Sequence, residues 1–195
     1  MTAQITDFYT YENITYSLSR MSPPMPFDPR DYGLTPHYSS TACWRGYWCE
    51  YDIRYNVLYL KNLYLFNKNG EYPVFNGVSA EPQEFEEMTA HAGPHRKPKL
   101  IRLPKYYGHR LYKNVELFIP YTGKILAGTD FMHDYYIHMG YQQPFAYKTL
   151  MEFVFEDGVL MDFIDRSEEA RKLREKLDLT DSFWEFQTLD LPHLI

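Results

Sequence analysis

A run of chemically rich side chains at residues 41–48 could form an anion-binding site. Arg45 lies between Trp44 and Trp48, and a guanidinium stacks well on indole rings. Gly46 would allow a close backbone approach at this point. The segment therefore has two interpretations. It is either a ligand clamp built on Arg45, or a structural clasp in which the buried Arg45 caps carbonyls of the preceding loop.

A second concentration of such side chains lies at residues 135–141. His138 has an unperturbed pKa near neutrality, and a carboxylate such as Asp130 or Asp134 would complete an acid–base pair if it lay within reach. The alternative is a strand histidine bonded to backbone. We expect Arg45 and His138 to lie near each other on adjacent elements. The candidate ligand-binding residues are Trp44, Arg45, Tyr47, His138 and Tyr141.

Other catalytic and metal signatures are missing from the sequence. His91 and His95 have the spacing of a helical metal pair, but Gly93 and Pro94 between them prevent a helix. Gly-x-Ser-x-Gly, P-loop and Gly-x-Gly-x-x-Gly patterns do not occur. We therefore assign no catalytic residue, metal or cofactor, and the sequence favours a protein that is not an enzyme.

The two segments belong to a longer pattern. Cys43-Trp44-Arg45-Gly46-Tyr47 precedes Leu58-Tyr59-Leu60, and Tyr136-Ile137-His138-Met139-Gly140-Tyr141 follows a glycine-containing turn. Over residues 38–165 the chain resembles a bacterial protein family of unsettled activity that carries WRGY, LYL and YVHMGY motifs. It departs from that pattern at Tyr51, where tryptophan is usual. The resemblance implies a bacterial origin and a small stand-alone protein.

Composition limits the partners that the chain can have. Its 195 residues fit one domain, and its 19 tyrosines favour pleated, half-buried surfaces. A formal net charge of −6 disfavours nucleic acid as a partner. The sequence contains no apolar run long enough for a membrane span, and its first ten residues lack the features of a signal peptide. We therefore expect a cytoplasmic protein.

The cysteine content agrees with a reducing compartment. Cys43 and Cys49 lie six residues apart, which on an extended strand is about 20 Å and beyond disulfide reach. We expect both to be free core thiols.

Period-two alternation is the strongest structural signal. Residues 47–54 place apolar side chains at odd positions, and a turn at Tyr55-Asn56 returns the chain through residues 57–65. A change of parity within that return predicts a bulge near Lys61-Asn62. A second hairpin runs through residues 147–164 around Asp157-Gly158, a pair that suits a type I′ turn. Ser167 then has the features of a helix N-cap.

Two stretches are predicted to be irregular. Residues 21–40 hold five prolines, which exclude regular ladders and helices. Residues 67–105 resemble an insertion, with an acidic patch that we interpret as one helical turn, followed by a basic cluster. The patch contains Glu81, Glu84, Glu86 and Glu87, and the cluster contains Arg96, Lys97, Lys99, Arg102 and Lys105. These charges form either two solvated faces that attract each other or an anion-binding loop.

The predicted fold is a single domain over residues 1–195, mainly β within the α+β class. We expect an antiparallel sandwich or half-barrel of hairpins with one or two C-terminal helices. The favoured function is a non-catalytic cytosolic bacterial binding protein of the immunity or antagonist type, directed at a basic toxin, because an acidic partner is steered toward a basic one. The alternative is a small enzyme or ligand binder for an anionic small molecule, a nucleotide or sugar phosphate, that uses Arg45 and His138. The sequence does not set the oligomeric state.

Overall fold

The computed structural model describes residues 2–90 and 99–178. The prediction of a mainly β protein with a C-terminal helix is confirmed. The strands are β1 (Phe8–Tyr11), β2 (Ile14–Met21), β3 (Tyr47–Arg54), β4 (Val57–Leu65), β5 (Phe85–Ala90), β6 (Lys99–Pro104), β7 (Arg110–Tyr112), β8 (Leu117–Phe118), β9 (Gly123–Phe131), β10 (Tyr147–Glu156) and β11 (Val159–Asp165), and the helix is α1 (Ser167–Asp178).

Seven of these strands close into a barrel in the order β4-β3-β1-β2-β9-β10-β11. The seam lies where Val159 pairs with Val57. Two backbone hydrogen bonds hold it, one from Leu58 N–H to the Gly158 carbonyl (2.9 Å) and one from Leu160 N–H to the Asn56 carbonyl (2.7 Å). The structure therefore does not confirm the predicted sandwich or half-barrel, because the sheet closes on itself and leaves no edge there.

One strand pair in the barrel also departs from the antiparallel prediction. β1 and β3 run parallel, with Tyr9 opposite Tyr51. A parallel pair needs a long connection, and residues 22–46 provide it by carrying the chain from the end of β2 to the far side of β1. The proline-rich loop predicted at residues 21–40 lies within this connection, where Pro29–Tyr32 form a single 3₁₀ turn.

The barrel interior is filled by the predicted alternation. Tyr47, Cys49, Tyr51 and Ile53 of β3 are all buried in the main core. Both cysteines are free, as predicted. The register between β3 and β4 shifts so that Glu50 pairs with Asn62 and Tyr51 with Leu60, which confirms the bulge at Lys61.

The helix covers the outer face of β10. Its Ala170 packs with Leu150 of β10 and Leu126 of β9 in a small separate core. The predicted N-cap Ser167 is instead the first residue of the helix: its N–H donates to Asp165 (2.8 Å), and its hydroxyl accepts from Leu150 N–H (3.1 Å) rather than from the helix. The second of the one or two predicted C-terminal helices would fall after residue 178, outside the described residues.

Within residues 67–105, β5 and β6 pair as a separate two-stranded sheet, which we call the arm. The helical turn predicted for the acidic patch is wrong, because Glu86 and Glu87 lie within β5. The sequence of β5 shows no period-two pattern, because Phe85 and Met88 lie on opposite faces and each face also carries a glutamate. His91, His95, Arg96 and Lys97 lie outside the described residues.

Replacing Gly158 by valine should lower the free energy of unfolding by about 1 kcal/mol or more. The turn that joins β10 to β11 places Asp157 at φ 46° and Gly158 at φ 78°. A Cβ on Gly158 would lie 2.4 Å from the Ile119 carbonyl oxygen, and a β-branched residue resists positive φ. Urea denaturation measures the loss. Gly77→Val is the matched control, because Gly77 has φ 78° and open space around it. Equal losses for the two variants would show that the close approach of Gly158 to the Ile119 carbonyl does not constrain the turn.

Candidate functional site

Arg45 forms a buried ion pair with Asp7. Its Nη1 donates to Asp7 Oδ2 at 3.0 Å and its Nη2 to Asp7 Oδ1 at 2.5 Å, which is the two-point geometry that suits guanidinium and carboxylate. The Asp7 side chain is 0% exposed and that of Arg45 is 15% exposed. Asp7 Oδ1 also accepts from the Cys49 N–H at 2.7 Å. The parallel pairing of β1 with β3 places Asp7 there, since Asp7 directly precedes β1.

Two aromatic rings and one sulfur complete the surroundings of Arg45. Its guanidinium lies 4.7 Å from the Tyr47 ring centre and 5.8 Å from that of Tyr141. Nη1 also lies 3.7 Å from the sulfur of Met25, in the proline-rich connection. The structure therefore brings together three of the predicted ligand-binding residues, Arg45, Tyr47 and Tyr141.

The two remaining candidates make other contacts. Trp44 is half exposed, and its backbone N–H donates to the Gln4 side chain at 3.0 Å. His138 is exposed in a bend, with its ring centre 5.1 Å from that of Tyr136. In the part of the chain that the structure describes, no hydrogen bond or ring contact joins His138 to Arg45. The expectation of a strand histidine is wrong, because residues 136–139 form no strand.

The prediction that Trp44 and Trp48 flank Arg45 is also wrong. Trp48 points to the outside of the barrel, where it stacks on Tyr64 at 4.6 Å and contacts the His109 ring at 4.5 Å. Strand alternation explains this, since Trp48 and Tyr47 are neighbours on β3 and must face opposite sides of the sheet.

The environment of Arg45 is that of a clasp. Burial lowers the pKa of its guanidinium, but the Asp7 carboxylate outweighs that effect and holds the pKa well above its ordinary value. Burial raises the pKa of the Tyr141 hydroxyl to about 12, although Arg45 opposes the rise. The partner of Arg45 is a carboxylate, whereas the clasp interpretation predicted loop carbonyls. The pair ties the start of β1 to β3, and its charges compensate each other.

His109 is a buried histidine that the sequence did not single out. Its Nδ1 lies 2.8 Å from the Tyr106 carbonyl, which can only accept, so Nδ1 carries the proton. Nε2 is then an acceptor that lies 3.3 Å from the Ser39 hydroxyl, and the Cys43 carbonyl at 3.4 Å competes for the same hydroxyl proton. This resembles a serine–histidine dyad, but burial lowers the pKa of His109 to about 4. A general base works best with a pKa near the working pH, so His109 is a poor base at neutrality.

Folding stability should fall as the pH drops from 6.5 to about 4 because of His109. In this window the unfolded chain binds a proton at His109 and the folded chain does not, so stability rises with pH there and is lost on acidification. The shift corresponds to about 3 kcal/mol. Urea denaturation at several pH values measures it. His109→Gln should show a flatter profile across this window, although it starts from a lower stability. Profiles of equal slope would contradict the assignment.

The buried carboxylate on β10 is also in a structural pair. Glu152 is almost fully buried beneath α1, where it lies 3.1 Å from Arg166 and 3.2 Å from Lys124.

Among the described residues, no group of three or more histidine, cysteine, aspartate or glutamate side chains is placed to hold a metal ion. No helix in residues 2–90 or 99–178 has the length and apolar character needed to cross a bilayer.

An apolar groove lies between the arm and the outer wall of the barrel. It has a volume of about 670 Å³, and Trp48, Met88, Leu103, Tyr106 and Tyr107 contribute to its walls. Three of these side chains are strongly exposed: Met88 at 51%, Leu103 at 39% and Tyr107 at 71%. Contiguous exposed apolar side chains of this kind mark interaction surfaces.

The far face of the arm is exposed as well. Phe85 and Leu100 lie open to solvent, and the Arg102 guanidinium stacks 4.6 Å from the Phe85 ring centre. Lys105 pairs with Glu84 at 2.7 Å, so the acidic and basic stretches do attract each other at this point. The sequence analysis treated this region as charged loops and missed its apolar surface. The signal available was the presence of Phe85, Met88, Leu100 and Leu103 among the charges.

Comparison of the chain with protein-family models, curated proteins and solved structures finds no significant match.

Proposed function

We propose that this chain is a non-catalytic protein-binding module whose binding surface is the arm together with its groove. The observation that carries the proposal is the exposure of Phe85, Met88, Leu100 and Leu103 on the arm and of Tyr107 beside it. Aromatic residues, methionine and arginine are enriched at protein interfaces. Large apolar side chains gathered in this way gain free energy when a partner covers them.

The state of the titratable groups supports binding over catalysis. Arg45 is neutralised by Asp7, and Glu152 lies between two cations. His109 is held neutral by burial. A site for an anionic small molecule at Arg45 would have to compete with a carboxylate that already occupies both of its outer nitrogens. The apolar side chains Phe85, Met88, Leu100 and Leu103 of the arm, in contrast, remain exposed to solvent.

The charge of the chain indicates the kind of partner. The whole chain carries a formal charge of −6, and Glu81, Glu84, Glu86 and Glu87 lie on or beside the arm. An acidic surface accelerates the encounter with a basic protein. We therefore propose that the partner is basic, as expected for a bacterial cytosolic immunity protein that neutralises a nucleic-acid-attacking toxin.

Site-specific photo-crosslinking tests this function. A photoreactive phenylalanine analogue placed at Tyr107 should capture a discrete basic protein from a lysate of the source organism. The same analogue at Met161, an exposed apolar position on β11, is the matched control and should not capture that protein. Reversal of charge in the variant Glu86→Lys/Glu87→Lys should reduce the yield at Tyr107. Equal capture at both positions, or none at either, would refute the proposal.

A further inference from the structure

We infer that the free edge of β5 accepts an extended segment of a basic partner as a third strand of the arm. This inference rests on the proposed function and names the contact through which it works. Edge strands present unpaired backbone groups, and many protein complexes form when an extended segment adds to such an edge. In the part of the chain that the structure describes, the arm contains two strands only, so each has one free edge.

The hydrogen-bond register identifies which backbone groups are free. Lys105 N–H donates to the Glu84 carbonyl at 2.9 Å, which makes this a hydrogen-bonded pair of the antiparallel ladder. Such pairs recur at every second residue. The pairs Glu86/Leu103 and Met88/Ile101 therefore bond across the ladder. The amides and carbonyls of the intervening β5 residues, Phe85, Glu87 and Thr89, point away from β6.

The two edges of the arm are not equivalent. The residues of β6 opposite these three are Pro104, Arg102 and Leu100, and their backbone groups point outward from the other edge. Pro104 has no N–H, so the β6 edge lacks a donor where an added strand would need one. The β5 edge carries all three donors and is the edge that can complete a ladder.

The negative charge of β5 favours a basic strand over a second copy of the chain at this edge. Glu86 and Glu87 place carboxylates on opposite faces of β5, and all residues from Glu84 to Thr89 are exposed. A second copy of the chain added through its own β5 would bring glutamates against glutamates, and like charges across a strand pair destabilise it. An incoming strand with lysine or arginine on both faces would meet opposite charges. It would also cover Phe85 on one face and Met88 on the other.

The inference can be tested with the full chain and a defined probe. The probe is an end-blocked octapeptide in which Lys-Lys and Val-Val pairs alternate, so that lysine lies on both faces of the added strand, and the comparison peptide replaces lysine by glutamate. Fluorescence anisotropy should show binding of the basic peptide, weakened by salt, and none of the acidic one. Amide hydrogen exchange should slow at Phe85, Glu87 and Thr89 when the basic peptide binds. Glu86→Lys/Glu87→Lys should reverse the preference between the peptides.

A pair of proline variants separates strand addition from simple charge attraction. Thr89→Pro removes an outward N–H from the β5 edge and should weaken peptide binding at least tenfold. Leu100→Pro removes the outward N–H of its register partner on the β6 edge and should change binding less than twofold. Both changes should spare the inward hydrogen bonds. Circular dichroism is the check that each variant is folded.

Three results would overturn the inference. These are no binding of the basic peptide to the unaltered chain, equal binding to Thr89→Pro, or a concentration-dependent dimer in sedimentation that Thr89→Pro abolishes. The last result would assign the edge to a second copy. If crosslinking at Tyr107 still captures a basic protein when the peptide fails, the protein-binding function stands and only the strand-addition mechanism falls.

Discussion

Replacing Asp7 by alanine should lower the free energy of unfolding by about 3–5 kcal/mol. The change leaves the Arg45 guanidinium with 15% of its side chain exposed and without its carboxylate, and it leaves the Cys49 N–H without its acceptor. An uncompensated buried charge is among the most destabilising changes in a protein interior. Urea denaturation at neutral pH measures the loss.

The matched control for Asp7→Ala is Glu168→Ala. Glu168 pairs with Arg171 at 2.6 Å on the surface of α1, with both side chains about half exposed. Exposed pairs add little to stability, so this variant should be nearly neutral. Arg45→Lys should also lose stability, because lysine cannot reproduce the planar two-point contact. A loss below about 1 kcal/mol for Asp7→Ala would show that the pair is not the clasp of the barrel.

Replacing Gly46 by alanine should lower the free energy of unfolding by more than about 3 kcal/mol. Gly46 has φ 76°, and a Cβ there would lie 2.0 Å from the His37 carbonyl oxygen. The atom it meets is backbone, and it cannot rotate away. Phe66 N–H donates to the Gly46 carbonyl, and His37 N–H donates to the Phe66 carbonyl, so neighbouring hydrogen bonds would be strained as well.

Gly70→Ala separates the clash at Gly46 from the cost of the backbone angle. Gly70 has φ 75° and open space around it, so its alanine variant carries the conformational cost alone. We expect about 1 kcal/mol for that variant. If the two alanine variants lose equal stability in urea denaturation, the contact between Gly46 and His37 does not constrain the fold.

The local elements could be predicted from the sequence because they follow from short-range patterns. Alternation gave β3 and β4, the parity change gave the bulge at Lys61, and Asp157-Gly158 gave the β10–β11 turn. The closure of the barrel could not be predicted in this way. It depends on the contact of Val159 with Val57, which lie far apart in the sequence and carry no pattern that marks them as neighbours.

Only part of the cluster around Arg45 could be predicted, because one of its residues is placed there by a long-range contact. Arg45, Tyr47 and Tyr141 do meet, but the residue that holds them, Asp7, is a single aspartate before a short strand with nothing in the sequence to mark it. Its position follows from the parallel pairing of β1 and β3, which is a property of the whole fold. The arm was missed because charged residues interrupt both of its strands, so neither strand shows a period-two pattern of apolar residues.

The absorbance of the stacked tyrosines inside the barrel should report the rate at which the barrel unfolds. Tyr9 and Tyr51 lie 4.7 Å apart, and their hydroxyls are buried without a hydrogen-bond partner. Burial, joined by nearby Asp7 and Cys49, raises the pKa of both well above the ordinary value of 10.0. In a rapid jump to alkaline pH, exposed phenols ionise at once, whereas these two ionise only when the barrel opens. The slow rise in phenolate absorbance should therefore follow the unfolding rate, and Asp7→Ala should quicken it.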